Sequence, residues 1–74
     1  MTKNIKFIQG IAAGKDLKEL EGTLVQLQDW QPMIVLVENK TLRTSPVKSI
    51  RENFSEKIVY VKTMSGSLYV FQEV

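Results

Sequence analysis

Lys57 to Glu73 reads KIVYVKTMSGSLYVFQE, two runs of β-branched and aromatic residues on either side of Ser65-Gly66. Such runs around a pair suited to a tight two-residue turn predict a β-hairpin. With Ser65 and Gly66 as the loop, Lys62 faces Tyr69, Val61 faces Val70 and Tyr60 faces Phe71. Side chains alternate across a strand, so Val59, Val61, Leu68 and Val70 share one face, and Ile58, Tyr60, Lys62, Tyr69 and Phe71 share the other. Both faces are apolar. The hairpin must therefore be covered twice, by the rest of the chain and by a further partner.

Upstream, Met33 to Val37 reads MIVLV, apolar at every position, and requires burial on both faces. Pro32 lacks a ladder donor, which places the start of that strand at Met33. Asn39-Lys40 supplies the next turn, since Asn tolerates positive φ. That register sets Arg43 beside Leu36 and Ser45 beside Ile34. Pro46 then breaks the alternation between Thr44 and Val47, so a bulge or bend is expected at Ser45-Pro46. Glu52 to Glu56 forms a polar loop around Phe54. Thr23 to Gln28, TLVQLQ, is a half-buried strand with Val25 and Leu27 on its inner face.

Nearer the N-terminus, Ile5 and Phe7 alternate within a short strand over Lys3 to Gln9, and Gly10 and Gly14 bracket a flexible stretch. Asp16-Leu-Lys-Glu-Leu-Glu21 predicts one to two helical turns, with Asp16 as N-cap, Glu19 as its reciprocal partner and Gly22 at the left-handed stop. Leu17 and Leu20 give that helix a narrow stripe able to close one end of a barrel. The chain is thus expected to be one all-β, mainly antiparallel domain. Residues 1–22 are an N-terminal arm with a short helical turn, and 23–74 a five-stranded meander, closed as an SH3-like barrel or strongly bent.

A chain of 74 residues stands near the lower limit for a self-sufficient core. With no Cys and no His, disulfide and zinc staples are removed, leaving oligomerisation as the expected support, with Ile34, Leu36, Ile58, Tyr60 and Phe71 as its interface. No apolar run is long enough to span a membrane and no signal-peptide core is present, which makes a cytoplasmic protein the expectation. The usual general base, metal ligands and thiol nucleophile are missing, and no phosphate-cradling loop or nucleophile elbow occurs. No enzymatic activity, metal or cofactor is expected.

The formal charge is +2, but Lys40, Arg43, Lys48 and Arg51 fall together without an acid among residues 40–51. This excess either attracts an anion or simply solubilises the surface. Arg43, Thr44, Ser45 and Lys48, with Lys62 and Tyr69, assemble a guanidinium fork, hydroxyls and a phenol suited to an oxyanion. Ser and Thr are also ordinary turn and strand residues, and Lys62 with Tyr69 makes an ordinary cross-strand cation–π pair.

Arg43-Thr-Ser-Pro-Val47, followed by a hydrophobic strand and Thr63-Met-Ser-Gly-Ser67 with Tyr69, resembles a pattern in small proteins of phages and mobile elements of Gram-positive bacteria. In that pattern R-T-S-P-V precedes T-x-x-S-x-Y; here one extra residue precedes the tyrosine. The resemblance implies an accessory protein acting in the host cytoplasm that blocks a host defence factor or sequesters a small anionic ligand such as a signalling nucleotide. Binding of nucleic acid by a small β-barrel, or a structural place in an assembly such as a virion, are the other functions in view.

Overall fold

The computed structural model describes residues 2–12 and 14–74, so Ala13, within the stretch expected to be flexible, lies outside the described residues. Eight strands follow in chain order: β1 (Lys3–Gln9), β2 (Ile11–Ala12), β3 (Lys15–Asp16), β4 (Glu21–Gln26), β5 (Pro32–Val37), β6 (Lys40–Asn53), β7 (Ile58–Thr63) and β8 (Leu68–Glu73). Six of them form a closed antiparallel barrel in the order β1, β4, β5, β6, β7, β8, and β8 pairs back onto β1. The all-β, antiparallel expectation holds. The five strands from β4 onward match the expected meander, and the N-terminal arm supplies the sixth stave.

A barrel of so few strands must bend sharply, and bulges allow it. Register shifts occur between Phe7 and Gln9, between Leu24 and Gln26, between Pro32 and Ile34 against β6, and between Val47 and Ser49. Each changes which parity points inward. Along β6, Leu42, Thr44, Val47 and Ile50 turn to the core, with spacings of two, three and three. The bend expected at Ser45-Pro46 is the first of these changes. On β4 the bulge puts Val25 outside, so Leu24 and Leu27 are the inward residues rather than Val25 and Leu27.

The hairpin of β7 and β8 corrects the two-residue loop. Thr63 N–H donates to Ser67 O at 2.9 Å and Gly66 N–H to Thr63 O at 3.0 Å, so Met64, Ser65 and Gly66 form a three-residue loop with Gly66 at φ +90°. Val61 therefore faces Tyr69 and Val59 faces Phe71. A one-residue slip turns every β8 side chain to the opposite face. Tyr69 and Phe71 join Val59 and Val61 inside, and Leu68 moves outside. Phe71 stands edge-on to Phe7, with ring centroids 6.1 Å apart and planes at 76°.

The β5–β6 hairpin also differs, but by two residues. Its loop is Glu38-Asn39, both at positive φ, and Arg43 faces Ile34 instead of Leu36. An even slip keeps each residue on its expected face.

No helix occurs among the described residues. Six residues are too few to nucleate one without strong tertiary support. Asp16 Oδ1 instead accepts the Lys18 N–H at 2.9 Å, an Asx-turn, and Glu19 adopts φ 68°. Leu20 C=O accepts from Phe7 N–H and Glu19 N–H donates to Phe7 O, tying this loop to β1. Leu17, buried, and Leu20, half-buried, close one end of the barrel, the task expected of them as a helix.

Candidate functional site

The six oxyanion candidates do not come together. Thr44 is buried; its Oγ1 accepts the Met33 N–H at 3.0 Å and donates to Ser45 O at 2.7 Å. Tyr69 lies in the core and its hydroxyl donates to Ile11 O at 3.4 Å. Lys62 and Tyr69 sit on opposite faces of the barrel wall, which excludes the cation–π pair. Arg43 is exposed beside Ile34, not held in a concave desolvated site. Ser45 Oγ is 2.8 Å from Ser65 Oγ, and Ser65 Oγ is 3.0 Å from Thr63 Oγ1. These hydroxyls fasten the β7–β8 turn to the bend of β6. Much of the R-T-S-P-V and T-x-x-S sequence thus builds architecture.

The expected interface also divides. Phe71 is fully buried inside. Ile34 and Leu36 point outward from β5 beside the first half of β6, whereas Ile58 and Tyr60 point outward from β7 beside its second half. Arg43 and Arg51 are eight residues apart on β6, roughly 26 Å along an unbent strand and less along this bulged one, in a molecule 28 × 25 × 22 Å across. These residues make two patches on different sides of the barrel. With Tyr69 and Phe71 inside, the outer face of the hairpin keeps Tyr60 and Leu68 as its exposed apolar residues, a smaller patch than the one expected.

One open groove of about 550 Å³ lies on the outer wall of β6, β7 and β8, lined by Ser49, Arg51, Glu52, Asn53, Tyr60, Lys62 and Leu68. The ladder explains the lining. Arg51 is directly opposite Tyr60, Ser49 opposite Lys62, and Lys62 opposite Leu68. Alternation sends Tyr60 and Lys62 outward from β7, while Val59 and Val61 fill the core. Val70 faces the same side but is buried, between Tyr60 and Gln9 on the ladder.

The groove lining carries two cations, Arg51 and Lys62, against one acid. The ion pairs among the described residues are Lys3–Glu73 and Lys15–Glu38, which leaves Arg43, Lys48, Arg51 and Lys62 without a carboxylate partner there. Glu52 is the one acid in the lining. Aromatic residues are partitioned just as sharply. Phe7, Tyr69 and Phe71 fill the core, and the other three of the six aromatics, Trp30, Phe54 and Tyr60, are 65%, 83% and 42% exposed. All three border the second half of β6. Trp30 N–H donates to Val47 O, Tyr60 pairs with Arg51, and Phe54 directly follows Asn53.

Of this face, sequence reasoning found Lys62 as a ligand residue, Tyr60 as an apolar surface residue and Arg51 as part of the basic stretch. It missed Ser49, Asn53, Leu68 and Trp30. The polar alternation of Ser49, Arg51 and Asn53 was the available signal. Among the described residues no group of three or more His, Cys, Asp or Glu is placed to hold a metal. Compared with protein-family models, curated proteins and solved structures, the chain finds no match, so the chemistry of this face stands on its own residues.

Proposed function

We propose that the protein is a binding module for single-stranded nucleic acid, seated on the outer groove of β6, β7 and β8. The observation that carries this reading is Tyr60, exposed on a strand paired on both sides, with Arg51 opposite it on the ladder and Lys62 two residues along the same face. An aromatic plane takes a base, and flanking cations take the phosphates on either side. The groove's openness favours a strand that runs through it over a small nucleotide held captive, because captured ligands have most of their surface buried. Asn53 and Ser49 offer hydrogen bonds to base edges or sugar hydroxyls.

The modest net charge of +2 implies weak, salt-sensitive binding. With Arg51, Lys62 and Lys48 each neutralising one phosphate, the logarithm of affinity falls with the logarithm of salt at a slope of about −2. Anisotropy titration of labelled oligothymidylate and oligouridylate at several salt concentrations measures that slope. Tyr60→Ala is expected to weaken binding about 5- to 150-fold, the range of stacking one base on one aromatic. Lys62→Ala should reduce the salt slope by about 0.7. Absence of salt-dependent binding by the folded protein would rule the reading out.

A further inference from the structure

We infer that Trp30 is a second base-stacking position on the same nucleic-acid path, beyond the Tyr60 groove and reached along β6 past Lys48. The inference rests on the groove reading above and adds an endpoint, and so a direction, to it.

Trp30 is unusual in backbone and exposure together. Its φ is +67°, a conformation that is unfavourable for a bulky residue and cheap for Gly or Asn. The surrounding chain holds it there. Trp30 N–H donates to Val47 O at 2.8 Å, Gln31 N–H to Gln28 O at 3.2 Å, and Val47 N–H to Gln31 O at 2.9 Å. The indole nonetheless contributes nothing to the core cluster and is 65% exposed. A turn that tolerates this strain while leaving its largest side chain in water presents that side chain to something outside the molecule.

What it meets follows from its neighbours. The carbonyl that anchors Trp30 belongs to Val47, and the next residue is Lys48, exposed and without a carboxylate partner among the described residues. From Val47 to Arg51 the strand advances at most about 13 Å, and Trp30 and Tyr60 lie on opposite edges of β6, roughly two strand spacings of about 4.8 Å apart, so a single strand crossing β6 obliquely covers the interval with about three to five nucleotides. A single strand with one base on Tyr60 therefore brings a later base to Trp30, with Lys48 near the intervening phosphates. An indole, a lysine, then Tyr60 with Arg51 and Lys62 is the spacing of a stacking platform with cations between its aromatics.

Trp30 is the sole tryptophan of the chain, so intrinsic fluorescence reports this position alone. Oligothymidylates of about three and about twelve nucleotides are titrated into the full chain, with anisotropy of a labelled strand read beside tryptophan emission. Quenching by the longer strand, with little quenching by the shorter one at equal occupancy, is expected. Trp30→Ala should weaken the longer strand about 5- to 150-fold and leave the shorter one within about twofold, and Trp30→Phe should recover most of the loss. Circular dichroism confirms that each variant is folded. If the longer strand binds through Tyr60 with unquenched emission and Trp30→Ala has no effect, the second position is disproved and the groove reading survives. If neither strand binds, both fall together.

Discussion

Gly22 is where a single missing side chain decides how two strands approach. A Cβ there would lie 2.8 Å from the Leu36 carbonyl oxygen and 3.0 Å from methyl groups of Val35 and Val37, so backbone as well as side chains would have to move. Gly22→Ala should therefore lose about 1–3 kcal/mol in urea unfolding, the usual range for overpacking. Gly14→Ala meets nothing within 4 Å and is opposed only by its φ of +77°, so about 1 kcal/mol is expected. Equal losses at the two glycines would mean that close packing of β4 on β5 is not what Gly22 provides. In the sequence Gly22 reads as a helix stop because Asp16 and Glu19 mimic a capping box; a glycine inside a strand carries no local sign of the backbone it must admit. A second single-residue effect concerns acid. Lys15 Nζ donates to Glu38 Oε1 at 2.6 Å, and this hydrogen bond, with the lysine's charge, holds the Glu38 carboxyl below its ordinary value of 4.5. A lowered carboxylate pKa in the folded state favours folding above the unfolded value and loses that contribution as pH falls through the folded one. Both side chains are largely exposed, so salt weakens the pair. In an NMR titration, Lys15→Gln should move the Glu38 midpoint upward, and an unchanged midpoint would remove Lys15 as its cause.

Strands were more legible than their registers. Most barrel strands show in the sequence as a β-branched or alternating run, because burial of one face writes that pattern directly; the end of β6 does not, and Glu52 and Asn53, expected in a polar loop, continue the strand. Register depends on loop conformation, which Ser65-Gly66 and Asn39-Lys40 each permit in more than one form. The β5–β6 misreading was harmless to the faces because it was even; the β7–β8 misreading, being odd, moved Phe71 from surface to core and Leu68 from core to surface. That one-residue step is why the hairpin looks apolar on both faces, and why Phe71 is expected in an interface and Lys62 beside Tyr69. Two truncations separate the registers. Phe71→Ala should cost about 3–5 kcal/mol, the range for a buried phenylalanine. Leu68→Ala, at an exposed position, should stay within about 0.5 kcal/mol. Denaturant midpoints in the reverse order would restore the two-residue loop. Val61, fully buried under either register, cannot distinguish them.

Closure of the barrel depends on its least conspicuous strand. β1 pairs with β4 on one side and β8 on the other, so removing it leaves two open edges in a barrel that is otherwise closed. It also removes Ile5 and Phe7 from the core, including the edge-on contact of Phe7 with Phe71. At its outer end Val74 N–H donates to Asn4 O at 3.0 Å and Lys3 meets Glu73 at 3.5 Å, so both termini lock the same seam. The division into an arm, 1–22, and a meander, 23–74, therefore separates parts that share one core. A small core rarely supplies more than about 3–5 kcal/mol, and the loss of two of its largest side chains exceeds that margin. A fragment of residues 23–74 should show no cooperative thermal transition by far-UV circular dichroism, whereas the full chain should melt cooperatively and sediment at micromolar concentration as a single 8.5 kDa species. Mixing the fragment with a peptide of residues 1–22 should restore the transition, since the peptide brings back β1 and the Leu17 and Leu20 plug together. A fragment that melts cooperatively on its own would show that β4 and β8 do not need β1. A full chain sedimenting at twice its mass would place a second copy on the outer wall, where Leu36→Glu and Tyr60→Glu, tested separately, would locate it on the β5 or the β7 side.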